Sequence, residues 1–173
     1  MNDLFLLASL LVGPQHGYAL KKQVGLISGQ GEMHNNLVYP LLRRFVARGW
    51  VNKRKAPGKR GQTREVYALT SKGKQALLLR LSQFTGKEVS AENGFRLRVG
   101  MFHFLDTEAS GRILAQREEW LAAREQHLAR LSDSLDLGVW GGEVVRFLRD
   151  QIRAERGWIS RLKRKLGRQG AGS

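Results

Sequence analysis

The chain contains no cysteine among its 173 residues. This absence excludes disulfide bonds, thiolate metal sites and a cysteine nucleophile, and it fits a reducing compartment. The apolar stretch from Leu4 to Val12 follows Asn2 and Asp3 rather than the positive residues of an export signal, so it predicts a buried helix. No run approaches the ~20 apolar residues that a membrane span needs. We therefore expect a cytoplasmic protein.

Motifs for catalysis or cofactor binding are also missing. The Gly-Lys pairs at 58–59, 73–74 and 86–87 lack the earlier glycine of a phosphate-binding loop, and residues 29–31 are too short for a dinucleotide fingerprint. The four histidines show no i,i+4 pair, and a zinc site needs three or four ligands. We expect no catalytic residue, no cofactor and no metal, and therefore not an enzyme.

Acidic residues are scarce relative to basic ones. The chain has 15 Asp and Glu against 30 Lys and Arg, a net charge of +15. Residues 1–86 carry 14 basic and 3 acidic side chains, whereas residues 87–173 carry 16 and 12. Such an excess favours a polyanionic partner, either nucleic acid or an anionic membrane surface. The change in composition near residues 85–94 predicts two domains, 1–86 and 87–173.

The hydrophobic pattern of the first half predicts three helices, a β-hairpin and a fourth helix. The expected helices start near Leu4, near His16, at Asn35 or Asn36 as N-cap, and after Thr70 as N-cap. The expected strands, 50–55 and 63–69, flank a basic loop. Three helices followed by a hairpin form a winged helix-turn-helix, so the fold class is mainly α with a small β-hairpin.

In this fold the third helix enters the major groove of double-stranded DNA and the hairpin lies beside it. Asn35, Asn36 and Tyr39 occupy the helix end that meets base edges, and Arg43 can reach a guanine or a phosphate. Lys59, Arg60 and Arg64 suit phosphates or the minor groove. A solvated charged surface is the alternative, but six basic residues and no acid between positions 53 and 64 favour DNA contact.

The second half predicts helices over about 91–105, from 106 or 107 onward, and after a break at 132–142. The last helix has apolar residues at alternating steps of three and four, with Glu155 as one polar member, as in a coiled-coil seam. That seam needs a partner helix in the same chain or in a second one. We expect a helical, coiled-coil dimerisation domain that makes a homodimer through Leu121, Leu128, Val145, Leu148, Ile152, Ile159 and Leu162.

Two other features of the second half lead to hypotheses about what it binds. Four aromatic residues are candidate walls of a small-molecule pocket: Phe95, Phe102, Trp120 and Trp158. The basic amphipathic segment 156–168 could instead lie on anionic lipid, which would make the chain a membrane-surface protein.

The order of the motifs in the first half resembles that of the PadR family of transcriptional regulators. The resemblance rests on Leu6-Leu7-Ala8-Ser9-Leu10-Leu11, Gly13-Pro14-Gln15-His16-Gly17-Tyr18-Ala19-Leu20, Leu37-Val38-Tyr39-Pro40-Leu41-Leu42-Arg43-Arg44, Gly49-Trp50-Val51 and Arg64-Glu65-Val66-Tyr67-Ala68-Leu69-Thr70-Ser71-Lys72-Gly73. The helical second half resembles the longer subgroup that includes phenolic-acid-responsive repressors. The sequence departs from many relatives at Gly61-Gln62-Thr63, where they have Gly-Arg-Pro.

The resemblance implies a sequence-specific, dimeric DNA-binding regulator, usually a repressor, that binds a dyad operator. It maps the family's tyrosine after His-Gly to Tyr18, and we include Lys22 among the DNA-binding candidates. A phenolic acid as effector is implied by resemblance only. The alternatives that stay open are the membrane-surface protein and a nonspecific DNA-binding protein.

Overall fold

The structure, a computed structural model, describes residues 2–28, 34–57 and 63–170. The described residues fall into two compact units, one within positions 1–83 and 92–104 and the other within positions 84–91 and 105–173. The first unit is helical with one small antiparallel sheet, and the second is entirely helical in its described part. The predicted fold class is therefore confirmed.

The core of the first unit is built around its first helix. Helix α1 (Asn2–Ser9) continues into a short 3-10 helix (Leu10–Val12), and all residues from 4 to 10 are buried. The predicted helix to Val12 thus changes type at Leu10, and it ends before Gly13, whose φ of +126° suits glycine. Helices α2 (Gly17–Ser28), α3 (Asn35–Ala47) and α4 (Ser71–Ser82) pack around this core.

The sheet has three strands rather than the two of the predicted hairpin. Strand β1 (Gln15–His16) pairs with β3 (Thr63–Leu69), which also pairs with β2 (Val51–Pro57), so the order is β1-β3-β2. The helix predicted to start near His16 begins at Gly17. Strand β1 before it was not predicted, because two residues carry no readable periodicity. Pairing of Gln15 with Tyr67 holds the start of α2 beside the hairpin.

Helix α4 is attached to the foot of the hairpin by its cap. The Thr70 hydroxyl oxygen accepts a hydrogen bond from Gly73 N (3.0 Å), which confirms the predicted N-cap, and the same hydroxyl donates to the Gly49 carbonyl (2.7 Å). A Cβ atom on Gly73 would lie 2.0 Å from the Trp50 carbonyl oxygen, so only glycine allows this close approach.

The predicted helix over 91–105 lies almost entirely in the first unit, as two shorter helices, and a short helix of the second unit precedes it. Helix α5 (Lys87–Ser90) belongs to the second unit, whereas α6 (Glu92–Gly100) and a 3-10 helix (Phe102–Phe104) belong to the first. The buried Arg98 explains this return, because its guanidinium donates to the carbonyl oxygens of Leu81 (3.0 Å) and Gln83 (2.8 Å) at the end of α4. The two compact units therefore do not coincide with the predicted domains 1–86 and 87–173, because the chain passes from one unit to the other more than once. The functional roles assigned to the two domains remain a prediction.

The second unit is dominated by α7 (Thr107–Ser134) and α8 (Gly138–Gly170), which pack against each other. Asp106 caps α7 as expected, its carboxylate accepting from Ala109 N (2.6 Å). The predicted break over 132–142 is narrower, and α8 already begins at Gly138, whose φ is +58°. Within the described ranges, no helix combines the length and the apolar content that crossing a membrane requires.

The predicted seam on α8 finds its partner helix within the same chain. Val145, Ile152 and Ile159 are buried in the second unit, where α7 is the helix that α8 packs on. The polar member of the seam, Glu155, makes a two-pronged ion pair with the buried Arg117 of α7 (2.8 and 3.0 Å).

Candidate nucleic-acid interface

Helix α3 has one buried side and one exposed polar side. Val38, Leu41, Leu42 and Phe45 face the core and are nearly inaccessible to solvent. The exposed side carries the four residues that the sequence predicts to read or hold DNA: Asn35, Asn36, Tyr39 and Arg43. Because the apolar residues of α3 recur at helical spacing and pack on the core, the predicted recognition residues face outward.

The N-cap of α3 is not one of the two asparagines that the sequence predicted. His34, not Asn35 or Asn36, occupies the N-cap position, and its carbonyl accepts from Leu37 N (3.0 Å). The two asparagines lie within the first helical turn and are exposed. Their side-chain amides therefore do not serve as the N-cap of this helix.

Beside α3 lies a cleft of about 460 Å³, here called the recognition groove. Its lining comes from the β1–α2 junction, α3 and β3: His16, Gly17, Tyr18, Tyr39, Arg64, Glu65 and Tyr67. Tyr18 is 68% exposed at its edge, whereas Tyr39 packs closely against Gly17. A Cβ atom on Gly17 would lie 2.9 Å from Tyr39 Cε1, so the absent side chain sets the position of that ring.

A hydrogen-bonded network holds the side chain of Glu65, the one acidic residue in strands β2 and β3. Glu65 forms an ion pair with Lys53 and accepts from the Tyr67 hydroxyl (2.9 Å). The hydrogen bonds from Lys53 and then Tyr67 hold the pKa of Glu65 below its usual value. Burial, and then the hydrogen bond to Glu65, raises the pKa of Tyr67 to about 12, so this phenol stays protonated at physiological pH.

The strand β2 is an exposed basic edge. Residues 52–55 are all exposed, and they include Lys53, Arg54 and Lys55. Arg54 and Lys55 were not among the predicted site residues, although the basic stretch between positions 53 and 64 is the signal that contains them. Arg64 on β3 is exposed as well and lines the recognition groove.

The other predicted DNA-binding residues do not all gather at this groove. Lys22 is exposed on α2. Asn36 lines a separate cleft of about 520 Å³ with residues of α1, among them Asn2 and Asp3. Lys59 and Arg60 lie outside the described residues.

The predicted dimerisation residues are largely used inside the second unit. Leu121 and Leu128 of α7 and the three seam residues of α8 are buried, and Leu148 and Leu162 are half-buried. A different part of α8 exposes large apolar side chains: Val139, Trp140, Val144 and Phe147. The dimer role of the seam stays a prediction.

The predicted pocket walls do not all belong to one unit. Phe95 is fully buried and Phe102 half-buried in the first unit, whereas Trp120 and Trp158 lie on α7 and α8 of the second. Trp120 is covered by the guanidinium groups of Arg117 (4.5 Å to the ring centroid) and Arg124 (5.4 Å). In the part of the chain that the structure describes, no three acidic or histidine side chains gather as metal ligands.

Comparisons with known proteins bear on the first half of the chain. The model of the transcriptional regulator PadR-like family matches residues 6–78. TA0346 of Thermoplasma acidophilum is 33% identical, over 44% of this chain and 72% of that chain, with a TM-score of 0.41. A PadR family transcriptional regulator from Eggerthella lenta DSM 2243 is 31% identical, over 43% of this chain and 63% of that chain, with a TM-score of 0.36.

Two of the solved structures are similar along nearly the whole chain. Bacillus subtilis PadR in complex with operator DNA is 16% identical and covers 95% of this chain and 98% of that chain, with a TM-score of 0.46. A comparison with curated proteins found no match.

Proposed function

The chain belongs to the PadR-like family of transcriptional regulators, and from this premise we propose that it is a repressor that binds a dyad operator in double-stranded DNA as a homodimer. The observation that carries the proposal is the exposed polar side of α3 next to the basic strand β2. The two elements divide the work of binding into base reading and phosphate contact.

Base reading falls to α3. A helix is about 10–12 Å wide with its side chains and the major groove of B-DNA is about 12 Å wide, so the helix fits the groove. Asn35 and Asn36 are exposed in the first turn, and an asparagine amide can bond adenine with two hydrogen bonds. Arg43, two turns further along the same side, suits a guanine or a phosphate.

Phosphate contact falls to the basic strand and its neighbours. Arg54, Lys55 and Arg64 are exposed, and Lys22 adds a charge on α2. Cations on the rim of a reading helix neutralise phosphates and fix the register of the protein on the duplex. Glu65 does not oppose this field at full strength, because it is paired with Lys53.

The homodimer is supported by the apolar stripe on α8, here defined as Trp140, Val144 and Phe147. These residues are 83%, 58% and 59% exposed, and their spacing of four and three places them on one side of the helix. Large apolar groups in a contiguous exposed row are typical of an interface. A second copy is the partner to which we assign the stripe, because a dyad operator needs two copies of α3.

Two alternatives receive less support. The membrane-surface hypothesis needed the apolar side of residues 156–168, but Ile159 is fully buried and Leu162 half-buried within the second unit. A nonspecific DNA-binding protein needs only charge, whereas α3 also exposes two asparagines and a tyrosine. A phenolic acid as effector remains a proposal from family resemblance.

Selection from a random duplex pool, followed by fluorescence anisotropy with the enriched site and a scrambled site, tests the function. We expect the enriched site to be a palindrome, bound about 1,000-fold or more tightly than scrambled DNA at physiological salt. Equal binding to all sequences would overturn the regulator and leave a nonspecific DNA-binding protein.

A further inference from the structure

The second unit contains a cleft whose residues are not part of the proposed DNA interface. Its volume is about 470 Å³, within the range of small-molecule sites. Ser132 at the end of α7 forms one part of it, and residues of α8 from Gly138 to Arg153 form the rest. We name it the arginine cleft, after Arg146, Arg149 and Arg153.

The three arginines form a row along one side of α8. Their spacing of three and four residues puts them on consecutive turns, where like charges repel one another. Arg146 is paired with Glu143 (3.1 Å) and Arg153 with Asp150 (3.0 Å), and both pairs are largely exposed. The cleft lining therefore contains three guanidinium groups and one carboxylate, that of Glu143.

Arg149 is the distinctive member of this row. Its Nε atom is buried, and no hydrogen-bond partner reaches it from the residues that the structure describes. A buried donor without a partner costs about 1–3 kcal/mol, so native structures nearly always satisfy such groups. Arg149 lines the cleft, so an oxygen ligand that enters it would supply the missing acceptor once the guanidinium turns toward it.

From this orphaned donor and the surrounding positive charge we propose that the arginine cleft binds a small oxyanion, the carboxylate or phosphate group of a polar ligand. A guanidinium presents Nε–H and Nη–H side by side, and this fork matches two oxygens of either group. The same anion would offset the repulsion between the neighbouring arginines. The arginines lie on the side of α8 opposite to Trp140, Val144 and Phe147, so the site does not use the residues assigned to the proposed dimer.

The test titrates the full-length protein with sodium phosphate and with sodium benzoate by isothermal calorimetry, at an ionic strength held constant with sodium chloride. We expect saturable binding of at least one of the two anions in the wild type. Binding by phosphate alone identifies a phosphate ligand, and binding by benzoate alone identifies a carboxylate. A thermal-shift series gives a second readout, because stabilisation should follow RT ln(1 + [L]/Kd).

Three variants separate a built site from general charge attraction. Arg149→Ala should weaken the anion at least tenfold, and Arg149→Lys should also weaken it because lysine has no fork. Arg164→Ala removes one exposed positive charge further along α8 and should bind as the wild type does. If Arg149→Ala does not fold, judged by circular dichroism, Arg153→Ala takes its place.

The outcomes are decisive in both directions. Loss of binding in the cleft variants with retention in Arg164→Ala supports the proposal. No saturable binding by either anion, or equal weakening in Arg149→Ala and Arg164→Ala, would overturn it.

Discussion

At the scale of single residues, Gly17 illustrates how a missing side chain shapes the recognition groove. The Tyr39 ring fills the space that a Cβ atom on Gly17 would occupy. The contact involves the outer edge of a ring that can rotate, so an added methyl group should displace the ring rather than unfold the protein. Glycine at the start of a helix is thus explained here by a neighbour and not by its backbone angle.

We expect Gly17→Ala to weaken operator binding by about 1–2 kcal/mol, because a displaced Tyr39 no longer reaches its base. Affinity for scrambled DNA and the free energy of unfolding should stay within about 0.5 kcal/mol of wild type. Anisotropy titration and urea unfolding measure both quantities. Gly100→Ala, at a site with open space in the same unit, is the control and should leave DNA binding unchanged.

Asn36 provides a second residue-scale prediction, since the structure assigns the N-cap of α3 to His34. Asn36→Ser should weaken operator binding by about 1–3 kcal/mol and leave binding to random DNA unaffected, because serine lacks the two-pronged amide. Unchanged operator affinity in Asn36→Ser would remove Asn36 from the reading residues.

Arg54→Ala should instead weaken binding to both DNAs alike. It should also reduce the salt slope of log K by about 0.9 for each phosphate that the protein no longer neutralises.

At the scale of elements, hydrophobic period and caps could be read from the sequence, whereas non-local partners could not. Thr70 and Asp106 cap their helices as predicted, because a cap depends on residues three positions away. Strand β1 was missed because its partner, β3, lies about 50 residues further along the chain. The return of α6 to the first unit was missed for the same reason, since it depends on Arg98 reaching the end of α4.

The ion pair between Arg117 and Glu155 joins α7 to α8, and its contribution can be measured with a double-mutant cycle. Glu155→Ala should lower the free energy of unfolding by about 3–5 kcal/mol, because the Arg117 charge stays buried without its carboxylate. Replacing Arg117 and Glu155 together by alanine should cost far less than the sum of the two single alanine substitutions. Additive effects in urea unfolding would show that the pair does not couple the helices.

A second element-scale contact, between Asp3 of α1 and Arg80 of α4 (2.6 Å), predicts a pH dependence. Burial would raise the pKa of Asp3, but the hydrogen bond and charge of Arg80 act in the opposite direction, and the pKa lies below its ordinary value of 3.8. A lowered pKa means that the contact stabilises the fold above pH 3.8, and that this contribution disappears as the pH falls through the lower, folded value.

Asp3→Asn should therefore destabilise the protein by about 1 kcal/mol at pH 7, the size of a charged hydrogen bond that is partly exposed to solvent. The difference from wild type should shrink steadily below pH 4. Urea unfolding at pH 7, 4 and 2.5 measures this, with Glu92→Gln in an exposed pair as the control. A difference that does not change with pH would show that Asp3 acts only through packing.

At the scale of the whole molecule, the apolar seam showed that α8 needs a partner helix but not which chain provides it. An a/d pattern is the same for an intramolecular hairpin and a dimer, because both bury the same stripe. The short connection between α7 and α8, residues 135–137, decides for the intramolecular partner. Candidate DNA residues on α3 were predictable because they share one helix, whereas the recognition groove needs three separate elements.

The proposed dimer can be tested by charged substitutions on two sides of α8. Trp140→Asp with Phe147→Asp should give a folded monomer with weaker operator binding, because both side chains are exposed in one chain. Ile152→Asp should instead unfold the second unit, since it buries a charge within the α7–α8 packing. Light scattering and circular dichroism separate these results, and a Trp140 and Phe147 variant that stays dimeric would move the interface elsewhere.

The pairing of β1 with β3 also determines when the DNA-reading surface can exist during synthesis. The backbone hydrogen bonds of helices α2 and α3 are local, so these helices can begin to form on the microsecond timescale once they leave the ribosome. Their alignment beside the hairpin must wait for Val66 and Tyr67, the partners of His16 and Gln15, to emerge. Closing this long loop lowers the conformational entropy of the chain before the pairing of β1 with β3 can stabilise it. A nascent chain that has completed α3 therefore has a recognition helix but no recognition groove.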